Sequence, residues 1–245
     1  AFADGSAAGS LLHDRVIGLE RAPGRVVLQL ARHGRLQARL VVGADGRGST
    51  IRRLAGIGLD RWDYGQAALA FIVTPRSLHP HTICEWLRPS GPLALLPLPA
   101  DKLGVTWVEG EAQARRLASL PPAALWRELA RETEGMARAE ALASPVGVWP
   151  LSAQHARRYV APRLVLVGDA AHGVHPIHAQ GFNMAVADVA VLHDLLREAG
   201  ARGADPGCAE LLLAYERARR AANAQRIWMT DALVRIFAQA WPPLV

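Results

Sequence analysis

The sequence predicts an α/β fold in which a mostly antiparallel β-sheet is inserted into a layered α/β domain, with a long helix at the carboxyl end. Leu164 to Val167 form a continuous apolar run typical of a buried strand, and an apolar helix follows from about Phe182. Between residues 61 and 150, short apolar runs are separated by proline and glycine, which is typical of antiparallel strands. A helical pattern then extends from about Cys208 to Phe237.

The first 60 residues are predicted to form hairpins that lead into a short buried strand. The hairpin strands are RVIGLE, RVVLQLA and RLQARLVV, with turns at Ala22-Pro23-Gly24 and His33-Gly34. The apolar residues Leu40 to Val42 form the buried strand, and the loop Gly43 to Arg47 follows it.

The middle of the chain is predicted to be a sheet that a single helix interrupts. That helix extends from about Ala123 to Arg138, with Pro121-Pro122 at its start, where proline's missing N–H costs nothing. The predicted strands are Ala67 to Val73, Thr82 to Leu87, Leu93 to Leu96 and Gly104 to Val108.

Composition favours a globular protein with a sizeable core. The chain has 245 residues, of which 51% are hydrophobic, and this excludes a disordered chain. No apolar run approaches the roughly 18 residues of a membrane span, and the first residues lack the basic segment of a secretory signal. Two cysteines, Cys84 and Cys208, are too few for a disulfide framework and indicate a reducing, cytoplasmic setting.

The net charge of +6 comes almost entirely from arginine, since Lys102 is the one lysine among 28 basic residues. A biased genome is the favoured cause of this composition. A basic surface could also meet anionic lipid or an anionic cofactor such as NADPH. The arginines are dispersed and lack interleaved aromatic residues, so nucleic acid is not an expected partner.

Two motifs carry the chemical information. The longer one, GDAAHGVHPIHAQGFN at residues 168–183, places a Gly-Asp pair at the end of a strand and an apolar helix after a loop. The shorter one, GADGR at 43–47, also follows a strand. Together they closely resemble the flavin-dependent aromatic hydroxylases, the single-component FAD monooxygenases, and among these most of all the ubiquinone-biosynthesis hydroxylases. The fragments SGPLALLPLP at 90–99, WPL at 149–151 and YERARRAANAQRIWMTDALVRIF at 215–237 favour the same group.

The resemblance implies a partial FAD-binding Rossmann-like domain with an inserted substrate-binding sheet. The implied organisation is FAD-binding domain at 1–60, substrate-binding β-sheet domain at 61–150, FAD-binding domain again at 151–205 and a helical region at 206–245. It also implies hydroxylation of an aromatic ring with NADH or NADPH and O2, with a polyprenylated phenol of ubiquinone biosynthesis as the favoured substrate. The alternatives are a soluble hydroxylase of a small aromatic acid, and an inactive flavin-fold remnant that only binds a partner.

The resemblance implies cofactor contacts at both motifs, with Asp169 near the ribose and pyrophosphate and the helix amino end near the flavin ring. Reduced flavin carries negative charge there, which a helix amino end stabilises. The structural alternatives are a tight turn with a capping aspartate and an Asp-Gly turn with a solvated arginine. Arg52 could also meet phosphate charge together with Arg47. The implied residues are Asp45, Gly46, Arg47, Gly168, Asp169, Pro176, Ala179, Gln180, Gly181, Phe182 and Asn183.

Two residues depart from the family pattern. The family usually has glycine where this chain has Ala179, and a small residue where it has His178. Glycine beside a ring permits close approach or a positive φ, so Ala179 could weaken flavin binding or shift the ring.

The histidines His172, His175 and His178 are spaced three apart, which raises the question of a metal site. No Cys, Asp or Glu joins them within that loop and Pro176 interrupts it, so no metal site is predicted. No residue type in the sequence identifies a catalytic group, and a flavin reaction does not require a protein nucleophile.

The last predicted helix is basic, with arginines at 217, 219, 220 and 226. A solvated face is the favoured interpretation, and docking to an anionic membrane surface is the alternative.

The G-x-G-x-x-G unit with which the family opens is not present. Gly5 to Gly9 read GSAAG, and only 39 residues precede the strand at Leu40. We therefore expect that the 245-residue chain alone does not complete the hydroxylation.

Overall fold

The computed structural model describes residues 9–76, 82–137 and 139–238. Arg138, the predicted end of the middle helix, and all of GSAAG except Gly9 lie outside these ranges. The chain divides into two compact units. Unit 1 comprises Ala1–Asp60, His155–Gly173 and Phe182–Asn223, and unit 2 comprises Arg61–Gln154, Val174–Gly181 and Ala224–Val245.

The elements of the described residues are numbered in chain order. The strands are β1 (Val16–Ala22), β2 (Arg25–Leu30), β3 (Gly34–Ala38), β4 (Val41–Gly43), β5 (Leu59–Pro75), β6 (Cys84–Trp86), β7 (Leu93–Leu98), β8 (Lys102–Gly110), β9 (Ala139–Leu142), β10 (Gly147–Ala156), β11 (Val160–Ala161), β12 (Leu164–Leu166) and β13 (His172–Gly173). The helices are α1 (Thr50–Leu54), α2 (Glu111–Ala118), α3 (Pro122–Glu132), α4 (Gln180–Ala201) and α5 (Ala209–Ala238). Single 3-10 turns occupy Gly168–Ala170 and Ile177–Ala179.

Unit 1 contains two three-stranded sheets. The first is the antiparallel meander β1-β2-β3, as the hairpin pattern predicts, and Gly24 and Gly34 adopt the positive φ that its turns require. The second has the order β11-β12-β4, in which β12 and β4 are parallel and pair from Leu164↔Val41 to Leu166↔Gly43. The two predicted buried strands are therefore neighbours, and both motif loops leave the same end of the sheet.

The core of unit 1 packs these strands against α4 and α5. Leu164, Val165 and Leu166 are completely buried, and so are Tyr159 and Tyr215. The Tyr215 hydroxyl donates to the Leu166 carbonyl at 3.0 Å, which fixes α5 to the end of β12. A buried tyrosine needs such a partner for its hydroxyl.

Unit 2 is built on an antiparallel sheet. The strands β5, β8, β7 and β6 follow one another in that order, β10 lies on the other side of β5, and β9 pairs with the end of β5. All four strands predicted in this region are confirmed, with β6 shorter than predicted. Trp107, Leu69 and Leu93 are almost completely buried between the sheet and the helices.

The prediction of a single helix in the middle region is wrong, because α2 and α3 both form. The short helix α2 buries only Ala114 and Leu117, so its apolar period is too weak to read from sequence. The helix α3 begins at Pro122 as predicted but ends at Glu132, where Glu134 and Gly135 adopt positive φ and the Gly135 N–H donates to the Ala130 carbonyl.

Cys84 and Cys208 are not joined in a disulfide. No helix within the described ranges has the length and hydrophobicity that crossing a bilayer demands.

Candidate functional site

The Gly-Asp pair of the longer motif forms a tight turn directly after β12. Gly168 has a φ of +57°, and a Cβ added there would lie 3.2 Å from the Cβ of Ala185. The left-handed φ and the tight contact both favour glycine at this position. Asp169 follows, partly buried and interacting with neighbouring groups of the protein.

A buried carboxylate stabilises this turn through hydrogen bonds. Asp188 on α4 is completely buried, and its Oδ2 accepts hydrogen bonds from the Gly168 backbone N–H at 3.0 Å and from His172 Nε2 at 2.6 Å. Its Oδ1 accepts from Arg219 Nε at 2.8 Å and from Asn223 Nδ2 at 2.9 Å. One side chain therefore joins the turn, β13 and α5.

The electrostatics of this cluster favour the ionised carboxylate. Burial by itself would raise the pKa of Asp188, but hydrogen bonds from His172, Arg219 and Asn223 outweigh burial and hold that pKa below its ordinary value. Because the carboxylate can only accept, His172 must carry a proton on Nε2.

The buried arginine of this cluster corrects one sequence interpretation. Arg219 was grouped with the basic, solvated face of the last helix, but it is only 8% exposed and is paired with Asp188. Charge patterning along a helix cannot separate a solvated arginine from one that has a buried counter-charge.

Arg52 joins the shorter motif to the longer one within unit 1. Its Nη1 donates to the Ala170 carbonyl at 2.8 Å, and its Nη2 donates to the Arg47 carbonyl at 2.9 Å. The expectation that Arg52 meets phosphate charge is therefore wrong, because this buried guanidinium is used to bind two backbone carbonyls.

The other residues of the shorter motif lie in the loop between β4 and α1. Asp45 accepts from the Ser49 hydroxyl and from the backbone N–H groups of Thr50 and Ile51, so it fixes the amino end of α1. Gly46 has a φ of +78°. The guanidinium of Arg47 lies against Gly173, where an added Cβ would stand 2.9 Å from Arg47 Cζ.

The chain turns sharply before α4. His178 and Ala179 adopt φ values of +58° and +49°, the left-handed conformation that favours glycine. Ala179 therefore departs from the family's glycine at a position where the backbone needs the glycine conformation. Its N–H donates to the Pro176 carbonyl at 2.9 Å, which closes the turn.

The amino end of α4 suits an anionic group. Its first turn, Gln180 to Asn183, contains no acidic residue, and Phe182 and Asn183 are exposed. The first N–H groups of a helix have no intrahelical acceptor and carry partial positive charge. These features fit the electron-rich edge of a flavin ring, and the left-handed turn before the helix fits a planar group in close contact with the backbone.

His175 is the second buried histidine of the longer motif and belongs to unit 2. It is 1% exposed, its ring stands edge-on to Tyr64 at 5.1 Å, and its Nδ1 accepts from the Ile177 N–H at 3.2 Å. Burial lowers the pKa of His175 to about 4, so the ring is neutral at physiological pH. In the described part of the chain, no group of three His, Cys, Asp or Glu side chains is arranged to hold a metal ion.

The sequence analysis did not identify Asp188, which accepts hydrogen bonds from the Gly168 turn, from His172 and from two residues of α5. The signal was available, since Asp188 is the one charged residue in the otherwise apolar stretch MAVADVAVL of α4. A charge on the buried face of a helix requires a buried partner.

The fold described above, with its parallel strand pair and two glycine-containing loops, is also the fold of a probable FAD-dependent monooxygenase, PqsL of Pseudomonas aeruginosa. The chain belongs to the FAD binding domain family, whose family model matches residues 22–230. The resemblance drawn from the motifs is thereby confirmed.

Two similar proteins of known name are hydroxylases of ubiquinone or demethoxyubiquinol. The chain is 40% identical over 244 residues to ubiquinone hydroxylase UbiL of Rhodospirillum rubrum, covering 97% of this chain and 56% of that protein. It is 34% identical over 241 residues to 3-demethoxyubiquinol 3-hydroxylase of Escherichia coli, covering 96% of this chain and 59% of that protein. The chain thus spans little more than half the length of these relatives.

Solved structures give the same fold. PqsL of Pseudomonas aeruginosa, determined in complex with 2-aminobenzoylacetate, superimposes with a TM-score of 0.76 at 26% identity, over 92% of this chain and 64% of that one. The p-nitrophenol 4-monooxygenase PnpA of Pseudomonas putida superimposes with a TM-score of 0.75 at 19% identity, over 94% of this chain and 58% of that one.

Proposed function

We propose that the chain provides the flavin-ring and substrate-binding parts of a hydroxylase that acts on an aromatic ring with FAD, NADH or NADPH, and O2. The observation that carries this proposal is the Gly168-Asp169 turn, which Asp188 holds directly after the parallel strand β12. The names of the relatives support a polyprenylated phenol of ubiquinone biosynthesis as the substrate.

The proposal divides the chain by sequence range. Residues 1–60 and 151–205 bind FAD, residues 61–150 bind the substrate, and residues 206–245 form a helical region that contains α5. FAD, when bound, supplies the redox chemistry that lets O2 hydroxylate a ring with electrons from NADH or NADPH.

The chain's own residues bind FAD and orient it. Asp169 accepts a hydrogen bond from a ribose hydroxyl of FAD, and Arg47 supplies positive charge near the pyrophosphate. The N–H groups of Gln180 to Asn183 stabilise negative charge on the ring. Gly46, Gly168, Pro176 and Ala179 shape the backbone around the cofactor, and Asp45 acts through the loop that it fixes.

A peripheral contact with the cytoplasmic side of a membrane belongs to the same proposal. Trp228 is 70% exposed and Met229 is 50% exposed on α5, beside the exposed Arg226. Tryptophan and arginine together suit the interface of an anionic bilayer. Co-sedimentation with vesicles that contain anionic lipid should fall when Trp228 is replaced by Ala, and unchanged co-sedimentation would reject this contact.

The activity can be tested at two levels. Flavin binding is measured by titrating the 245-residue chain with FAD, and we expect saturable quenching of flavin fluorescence.

Hydroxylation is measured in a chimera in which this chain replaces the matched segment of the E. coli 3-demethoxyubiquinol 3-hydroxylase, with product detected by mass spectrometry. The control is the Asp169→Ala variant of the same chimera, in which we expect FAD binding to be weaker. A folded, flavin-loaded chimera that forms no product would overturn the proposed function.

A further inference from the structure

Two half-buried aromatic side chains of β5 lie beside the part of α5 that belongs to unit 2. Trp62 and Tyr64 are two residues apart and lie on one face of the strand, whereas their neighbours Arg61 and Asp63 are exposed on the other face. Trp62 Nε1 donates to Asp231 Oδ1 of α5 at 2.8 Å. This hydrogen bond ties the strand to the helix next to Tyr64.

The carboxylate of Asp231 is ionised and lies close to Tyr64. Burial alone would raise the pKa of Asp231, but hydrogen bonds from Arg235 and Trp62 outweigh burial and hold that pKa below its ordinary value. Arg235 Nε donates to Asp231 Oδ2 at 2.7 Å. Burial and the negative charge of Asp231 raise the pKa of Tyr64 to about 12, so its phenol keeps its proton at physiological pH. Tyr64 therefore offers an uncharged ring to its neighbours.

The ring of Tyr64 packs on a histidine of the loop before α4. The ring centroids of Tyr64 and His175 are 5.1 Å apart, and the two ring planes are nearly perpendicular, at 84°. Such pairs are favourable because the positive edge of one ring meets the negative face of the other. His175 is completely enclosed, and its Nε2 has no hydrogen-bond partner among the residues that the structure describes. Packing against Tyr64 therefore restrains this imidazole.

The other ring nitrogen of His175 contacts the turn before α4. Nδ1 accepts a hydrogen bond from the Ile177 backbone N–H at 3.2 Å. The next two residues, His178 and Ala179, adopt left-handed φ values, which cost free energy in residues other than glycine. Backbone strain persists only where surrounding contacts determine the conformation. The position of the His175 ring is thus one of the contacts that hold the turn.

We propose that Tyr64 is a positioning residue for the turn at 176–179 and acts on it through the ring of His175. The contacts that connect α5, β5, His175 and the turn all lie within unit 2. This inference rests on the proposed function, in which the turn is part of the backbone around the cofactor, and it deepens that function because Tyr64 lies outside both motifs.

Two substitutions at residue 64 separate the role of the ring from that of the hydroxyl. Tyr64→Phe keeps a ring against His175, whereas Tyr64→Leu removes it. The matched control is Phe71→Leu, which removes an aromatic ring of the same strand that packs on Trp126 instead. Urea unfolding of each variant establishes that it folds.

The first readout is NMR of the chain without cofactor, labelled with 15N. In the original chain we expect nuclear Overhauser contacts between the rings of Tyr64 and His175, and these can be measured whether or not the Leu variant folds. Tyr64→Phe should preserve the imidazole signals of His175 and the amide signals of Ile177 to Ala179. Tyr64→Leu should shift both sets of signals, and Phe71→Leu should leave them in place.

The second readout is the dissociation constant for FAD, measured by flavin fluorescence. Tyr64→Leu should weaken FAD binding about fivefold, the effect of losing one aromatic pair. Tyr64→Phe and Phe71→Leu should each change it by less than about twofold.

Three outcomes would overturn the proposal. They are an absence of contact between the rings of Tyr64 and His175 in the original chain, unchanged imidazole and turn signals in Tyr64→Leu, and a loss of FAD affinity in Tyr64→Phe or Phe71→Leu as large as that in Tyr64→Leu. If the original chain does not bind FAD, the proposed function fails, while the cofactor-free signals still decide whether Tyr64 positions the turn.

Discussion

Asp188 accepts a hydrogen bond from the backbone N–H of Gly168, a residue twenty positions earlier, and so ties the turn that carries Asp169 to helix α4. The same carboxylate binds His172, Arg219 and Asn223. The orientation of the turn therefore depends on a residue that need not touch the cofactor.

Asp188→Asn should destabilise unit 1 by about 3 kcal/mol, because the amide keeps one acceptor oxygen where the carboxylate has two and leaves Arg219 without its counter-charge. The measurement is unfolding in urea. Asp194→Asn, whose side chain is 65% exposed, is the control and should change the free energy of unfolding by less than about 0.5 kcal/mol. Equal effects of the two substitutions would contradict the buried network.

Arg52→Lys should cost about 1 to 3 kcal/mol, because lysine cannot bind the Arg47 and Ala170 carbonyls in the same fork geometry. Arg53→Lys on the exposed side of α1 serves as the comparison. Thermal unfolding of both variants measures the difference. A neutral Arg52→Lys would mean that the two motif loops are held together by other contacts.

Asp169→Ala should weaken FAD binding by about 1 to 3 kcal/mol, the typical cost of losing a hydrogen bond to a charged group. Flavin fluorescence titration gives the dissociation constant, and Asp194→Ala controls for the loss of an aspartate elsewhere. If the variant retains flavin as well as the original chain, Asp169 is not a main polar anchor.

Ala179→Gly should leave flavin affinity intact or improve it, since φ at this residue is +49° and glycine adopts that conformation without strain. Relief of left-handed strain, partly offset by backbone entropy, should raise the free energy of unfolding by up to about 1 kcal/mol. Flavin titration and urea unfolding measure the two effects. Strongly reduced affinity in a stable variant would mean that the site has been reshaped around Ala179 and His178.

The stability of the chain should fall between pH 6.5 and pH 4 because His175 is buried in its neutral form. Its pKa is about 4 when folded and 6.5 in the absence of burial, so the unfolded chain takes up the proton first as the pH drops. The contribution is about 3 kcal/mol, present above pH 6.5 and lost by pH 4.

The variant His175→Phe should show a shallower fall in unfolding free energy over this range, and His193→Phe should not. His155, whose pKa burial also lowers to about 4, adds a similar slope and remains in both variants. Identical pH profiles for His175→Phe and the original chain would contradict a neutral, buried His175.

Local patterns were enough to predict much of the architecture. The meander β1-β2-β3, the strands β5 to β8 and the helix α5 follow from apolar alternation, turn residues and helical periodicity, all of which are encoded within short stretches of chain. The motif at 168–183 indicated the family by its resemblance to other members, and it too is contained in one short stretch of chain.

The sequence by itself determined which segments form strands and helices, because backbone preference and burial act over a few residues, and its motifs indicated the family by resemblance. Only the tertiary structure decided that Asp188 and Arg219 are partners, that Arg52 joins two loops and that Tyr64 packs on His175. These residues lie far apart in the chain, and a polar side chain acquires its role from the buried groups that folding brings to it.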